Sequence, residues 1–200
     1  AIQPYEYSLA KAAQLLDEAG WIDSDGDGVR EQEGKKLSLS LLTNAGNNLR
    51  EDLGALVQDQ LGQVGFEIVF EAIDFGALVE RLDAQTYDMV LIGWQGLGTD
   101  PNDDAFWHTQ YDLPFSGFNS GSYHNARVDE LLEQGKAVPG CAPEDRAPYY
   151  KEIQQLIHDD LPNIFIPASL GNTAYTTKWT EINPGPWAFY YNVHQWSRKP

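Results

Sequence analysis

Tyr87-Asp-Met-Val-Leu-Ile-Gly-Trp94 is the stretch that decides the fold. Met89 to Ile92 is a continuous apolar run, too short for a typical helix and closed at once by Gly93. Such a run predicts a strand buried on both faces and central in a sheet. It opens into Gln95-Gly-Leu-Gly-Thr-Asp-Pro101, whose glycines, proline and acid predict a loop at the strand's carboxyl end. In open α/β sheets ligands sit at that end of the strands.

The segments before it repeat the pattern. Lys36–Thr43 and Phe66–Ile73 read as strands. Between them Asn48 is placed to cap a helix, with Glu51 three residues on and Leu49, Leu53, Leu56, Val57 and Leu61 on one face. Asp74 is placed to cap a second helix carrying Leu78, Val79 and Leu82. A β-α-β-α-β order with short connections predicts parallel strands and right-handed crossovers. The three carboxyl ends then share one edge: Thr43 with Asn44, Ile73 with Asp74, Gly93 with Trp94. The fold class is α/β, a parallel-centred sheet flanked by helices.

Upstream, Ser8 caps an amphipathic helix that Gly20 ends. Residues 23–34 follow, beginning Asp23-Ser-Asp-Gly-Asp-Gly28. Asp23, Asp25, Asp27 and the carbonyl of Val29 occupy the first four ligand positions of an EF-hand-like calcium loop, with Gly28 at the sharp turn. The twelfth position holds Gly34 where a bidentate Glu belongs, so Glu31 or Glu33 has to substitute. The same residues also read as an acidic turn between a helix and a strand. Any calcium here is structural.

Downstream, the chain is irregular and aromatic from Phe106 to Tyr123. Ala126–Gly135 and Glu144–Leu161 predict helices, the first with Val128, Leu131 and Leu132 inward, the second with Tyr149, Ile153, Leu156 and Ile157. Ile164–Leu170 and Thr173–Trp179 read as strands, and an aromatic tail spans 180–200.

With 30 acids against 13 bases the net charge is -17, which repels phosphate backbones and anionic lipid; nucleic acid is excluded as a partner. The single cysteine, Cys141, allows no disulfide within the chain and no cysteine-built zinc site. The chain starts Ala-Ile-Gln-Pro, without an initiator methionine, and reads as part of a longer protein. Enzyme motifs are missing: neither His-Glu-x-x-His nor Gly-x-Ser-x-Gly occurs, and the glycines after Trp94 lack a P-loop lysine. Asp100, Asp103 and Asp104 offer carboxylates to a hydrolase, the catalytic alternative.

Tyr7–Trp21, Asp23–Glu31, Tyr87–Trp94 with Asp100-Pro101, Tyr123–Leu132, Arg146–Gln154 and Leu161-Pro162 together resemble the carboxyl-terminal part of the extracellular solute-binding proteins of family 5, the peptide, opine and nickel class that feeds ABC importers. The resemblance implies one lobe, residues 1–200, of a two-lobed, periplasmic-binding-protein type II-like clamp that is extracytoplasmic and not an enzyme. The amino-terminal lobe and the importer's permease subunits are the implied partners, with the tail of 180–200 packing on the missing lobe. The implied ligand is an oligopeptide or other small polar solute; an oligosaccharide or a nickel complex is the alternative within the fold, and a calcium-stabilised interaction module the alternative outside it. The implied ligand-binding residues are Trp94, Gln95, Gly96, Asp100, Asn44 and Asp74. Leu97 stands where dipeptide binders of the family carry the acid that meets the peptide's amine.

Overall fold

Ser38–Asn44 (β3) organises the domain. In the computed structural model, which describes residues 2–94, 100–166, 174–183 and 190–199, it lies between Glu67–Ile73 (β4) and Met89–Val90 (β5), parallel to both. Register runs from Ser38↔Glu67 to Asn44↔Ile73 on one side and through Leu41↔Met89 and Leu42↔Val90 on the other. Leu41 and Leu42 point to opposite faces of the strand, and both are buried. The centre of the sheet is therefore β3. The run at Met89, expected to be central and fully buried, forms a two-residue strand at the side of the sheet described here, and its residues are half-buried. Apolar continuity reports burial on average; it does not rank strands within a sheet.

The rest of the chain in order comprises Leu9–Glu18 (α1), a short hairpin of Glu31–Gln32 (β1) and Lys35–Lys36 (β2), and Asn48–Gly62 (α2), which joins β3 to β4. Phe75–Asp83 (α3) leads from β4 to β5. Asp104–Trp107 (α4), Ala126–Ala137 (α5) and Pro143–Asp160 (α6) follow. Two compact units emerge: residues 1–94 with 99–163, and residues 95–98 with 164–200.

Local chemistry sets the boundaries. The Ser8 hydroxyl accepts the Lys11 N–H at the start of α1. At α2 the cap is Asn47 rather than Asn48, its Oδ1 accepting the Arg50 N–H, while Glu51 reaches back to the Gly46 N–H at 2.7 Å. Capping depends on backbone geometry, so two adjacent asparagines are indistinguishable in sequence. The predicted strand 36–43 also divides: Lys35–Lys36 pairs with β1 across the turn at Glu33 and Gly34, whose φ values of 51° and 77° suit a tight hairpin, and Ser38 starts the main sheet.

Helix α2 packs through Leu53, Gly54 and Val57, whereas Leu49 and Leu56, expected inward, are exposed. Gly54 is buried, and a Cβ built there falls 2.2 Å from the Phe70 ring. Alanine gains about 1 kcal/mol of helix propensity over glycine, but overpacking costs about 1–3 kcal/mol. Gly54→Ala is expected to lower unfolding free energy by up to about 2 kcal/mol net, with Phe70→Leu recovering part of it, both read by urea denaturation.

At the amino end of the sheet, Asp88 accepts the Ser40 N–H at 2.8 Å and the Ser40 hydroxyl at 2.7 Å. These bonds, the backbone one first, hold its carboxyl below the ordinary aspartate value. A depressed folded pKa stabilises above the unfolded value, about 3.9, and the contribution disappears as pH falls through the folded value. Asp88→Asn is therefore expected to flatten the loss of stability below about pH 4 and to cost stability at neutral pH, as measured by urea unfolding across pH.

Among the described residues a buried apolar cluster joins α5 and α6: Val128, Leu131, Leu132, Ile153, Ile157, Tyr150 and the preceding Tyr123. The inward residues predicted for α5 are there; on α6, Tyr149 and Leu156 are only partly buried, and Tyr150 with Arg146 takes the inward positions.

In the second unit, Trp179–Thr180 (β6) pairs antiparallel with Ser197–Arg198 (β7). The Asn192 side chain accepts from the Trp196 indole N–H at 2.8 Å and donates to the Glu181 carbonyl at 2.9 Å. The strands expected at 164–170 and 173–179 are not found where the chain is described: residues 164–166 and 174–178 are non-strand, and Trp179 opens β6. Residues 167–173 lie outside the described residues. Ile164, Phe165 and Ile166 are exposed.

Candidate functional site

The register of the sheet brings the ends of β3, β4 and β5 to one edge. Asn44 lies opposite Ile73, and the Ala45 N–H extends the edge by donating to the Ile73 carbonyl at 2.7 Å. The Leu91 N–H donates to the Leu42 carbonyl at 2.8 Å, and the Thr43 hydroxyl donates to the Leu91 carbonyl at 2.9 Å. Beyond this the chain leaves the sheet, and Gly93 and Trp94 are exposed at its mouth.

Trp94 is 54% exposed. Its ring packs against Phe106 at 4.8 Å and edge-on to Phe118 at 5.5 Å, centroid to centroid. One side of the indole is thereby fixed while the remainder faces outward, a geometry suited to stacking on a solute. Tyr123, by contrast, is buried, its hydroxyl donating to Asp160 at 2.7 Å, and Trp107 packs against the core cluster. Gln95 and Gly96, expected beside Trp94, and Leu97 lie outside the described residues.

Asn44 is half-buried, and its Oδ1 accepts from Arg50 Nη1 at 2.5 Å. The second terminal nitrogen of Arg50 lies next to Gly93, 3.6 Å from where a Cβ would stand. Arg50 was not among the residues predicted for the site. Asp74 is exposed at the end of β4, and its Oδ1 accepts the Gly76 and Ala77 N–H groups as the cap of α3.

Asp100, where the described chain resumes after Trp94, is gripped from α6. Arg146 Nη1 and Nη2 donate to its two oxygens at 2.7 and 2.9 Å. The guanidinium also donates to the Gly135 carbonyl at 3.0 Å and to the Tyr150 hydroxyl at 2.7 Å. This Arg146 fork, followed by the Asn102 N–H, holds the Asp100 carboxyl below the usual carboxylate range. Asp104 is paired with Lys136 instead, at 3.1 Å. Burial, then the charges of Asp100 and Asp104, pushes Asp103 upward. Asp100 and Asp104 thus answer to different cations on different helices. A cavity of about 480 Å³ borders Asp100, Pro101, Cys141, Arg146 and Tyr150.

In the acidic loop, oxygens of Asp23, Asp25 and Asp27 lie within 4.8 Å of one another. Asp23 accepts the N–H groups of Gly26 and Gly28, Asp25 that of Asp27, and Asp27 that of Val29. Asp27 also pairs with Lys36, which is the main cause of its lowered pKa. Glu31 turns toward the loop: one oxygen accepts the Ser24 N–H at 2.8 Å, and the other is buried without a hydrogen-bond partner among the described residues. Glu33 and Gly34 belong to the hairpin turn.

Among the described residues, no helix is long and apolar enough to cross a membrane. The oligopeptide-binding protein AppA of Bacillus subtilis is 33% identical over 200 residues, covering 98% of this chain and 35% of that protein. Its structure in complex with a nonapeptide superposes with a TM-score of 0.80 at 30% identity, across 100% of this chain and 39% of that one. NikZ from Campylobacter jejuni, in complex with Ni(L-His), gives a TM-score of 0.76 at 26% identity over 98% of this chain and 40% of that one. The chain therefore spans well under half the length of the relatives it matches. The family profile described as bacterial extracellular solute-binding proteins, family 5, middle part, matches residues 1–113. On its parallel sheet, the edge where the strands end and this match, the chain belongs to the family 5 bacterial extracellular solute-binding proteins.

Proposed function

We propose that this chain is the carboxyl-terminal lobe of the solute-binding component of an ABC importer, working outside the cytoplasm and without catalysis. Its ligand is an oligopeptide or a similar polar solute, enclosed when the missing amino-terminal lobe closes over the sheet edge by hinge motion. The observation that carries this reading is the convergence of Asn44, Asp74, Gly93 and the exposed Trp94 on one edge. Trp94, with Gln95 and Gly96 after it, shapes the pocket; Asn44 and Asp74 border it. Asp100, expected to touch a polar or cationic group of the solute, has both oxygens on Arg146, and its role here is to anchor the end of that segment. The aromatic tail is assigned to contact with the missing lobe, and the permease subunits complete the importer.

The test is thermal unfolding of the full-length protein with pools of short peptides and, separately, a nickel–histidine complex. A melting shift with the peptides supports the reading. A shift with the nickel complex alone moves the chain to the metal-chelate branch, and no shift with either removes the proposal. Trp94→Ala is expected to weaken the binding so found by about two- to tenfold, measured by calorimetric titration.

A structural calcium ion in the loop of 23–34 is a second reading, favoured by the buried, unpartnered Glu31 oxygen beside three converging aspartates. Asp23, Asp25, Asp27, Glu31 and the Val29 carbonyl would supply the oxygens. Calcium has to displace Lys36 from Asp27, so Lys36→Gln should tighten binding and Asp25→Asn abolish it. A melting temperature indifferent to calcium in all three proteins leaves an acidic turn.

A further inference from the structure

Arg50 occupies the first turn of α2, the end of a helix where a cation is disfavoured by the dipole. The chain has no shortage of acids to pair with it. Of the five arginines in residues 2–163, Arg30, Arg127 and Arg146 each meet a carboxylate. Arg81 is exposed in the last turn of α3, where the dipole favours it. Arg50 alone among them is half-buried with a neutral partner, the Asn44 amide oxygen, and no carboxylate among the described residues. Its chain neighbour Glu51 is engaged by the Gly46 N–H instead.

The surroundings leave the guanidinium usable. One terminal nitrogen is oriented by Asn44, and the other lies beside exposed Gly93. A Cβ at 93 would stand 3.6 Å from that nitrogen, at ordinary contact distance. A guanidinium presents five N–H donors in a planar fork matched to two carboxylate oxygens, and among the described residues Asn44 alone accepts from it, at one donor.

We propose that Arg50 is the anion-recognition residue of this sheet edge, binding a carboxylate of the solute, with Asn44 as its positioning residue. This rests on the solute-binding reading and narrows it to solutes that carry a free carboxylate. In a peptide that group is the carboxyl terminus or an acidic side chain.

The experiment is calorimetric titration of the full-length protein with three pentapeptide pools: free-acid peptides without Asp or Glu, the same peptides as carboxyl-terminal amides, and amides containing one Glu. The free-acid pool is expected to bind about ten- to a hundredfold more tightly than the plain amides. Recovery of tight binding in the Glu-containing amides assigns the contact to a side chain, and its absence to the terminus. Arg50→Gln should bind acid and amide alike, and Arg50→Lys should keep part of the preference. If Arg50→Gln does not fold, Asn44→Ala should still shrink the preference severalfold. Equal binding of acid and both amides by the natural protein, or an undiminished preference in Arg50→Gln, overturns this proposal alone. Binding of none of the pools overturns the peptide reading and this proposal with it.

Discussion

Leu131→Ala is expected to lower the unfolding free energy by about 2–5 kcal/mol, a large part of the roughly 5–15 kcal/mol available to a domain. Leu131 is 1% exposed, on the face of α5 that meets α6. Its neighbours in the cluster are held from both sides: Val128 and Leu132 by the same helix, Ile153 and Ile157 by α6, Tyr123 by its bond to Asp160. Surroundings fixed in this way collapse poorly around a deleted side chain, so the cavity cost adds to the lost transfer energy. The control is Leu49→Ala on α2. Leu49 is 61% exposed, and its removal should change stability by no more than about 0.5 kcal/mol. Urea denaturation of the two variants checks the pair. Comparable losses would mean that α5 and α6 do not form the principal core.

The second large effect is at Arg146. The residue is 8% exposed and joins three structures: Asp100 at the end of the Trp94 segment, the Gly135 carbonyl near the end of α5, and the Tyr150 hydroxyl one turn along α6. Arg146→Leu preserves apolar volume but leaves the Gly135 carbonyl and the tyrosine hydroxyl without their donors, and frees the carboxylate. Each unsatisfied buried group costs about 1–3 kcal/mol, and one-sided removal of a buried pair about 3–5 kcal/mol. Asp100 is itself more than half exposed, which places the expected loss nearer about 2–4 kcal/mol. Arg146→Lys should recover only part, because an ammonium cannot make the two-pronged contact. Asp100→Asn should cost least, since Arg146 retains its other two partners. The order Leu, Lys, then Asp100→Asn is the checkable result; a loss below about 1 kcal/mol for Arg146→Leu would make the fork an ordinary surface ion pair.

Much of this architecture is legible in the sequence. Helix α1 and the parallel β-α-β-α-β order rest on periodicity, on caps such as Ser8 and Asp74, and on short connections. These are local signals, within reach of a few residues. Errors arose where the deciding partner was distant. The Met89 run reads as central because nothing in its residues tells that β3 takes that position. Tyr149 and Tyr150 are adjacent and chemically alike; only the docking of α5 turns Tyr150 inward. At the candidate site, Trp94 and Asn44 were legible as strand ends. Arg50 and Arg146 were not, because an arginine's meaning depends on which acid, if any, the fold sets beside it.

The sequence by itself determined the β-α-β-α-β order of the main sheet, the direction of its strands, the edge on which their ends meet and the family. Those follow from spacing, capping chemistry and motif order along the chain. The tertiary structure alone decided which charges cancel. It placed Arg146 on Asp100 over a separation of 46 residues and, among the described residues, left Arg50 with only an amide for company. Ion pairing depends on a few ångströms of approach, and that distance is set by packing between elements remote in sequence.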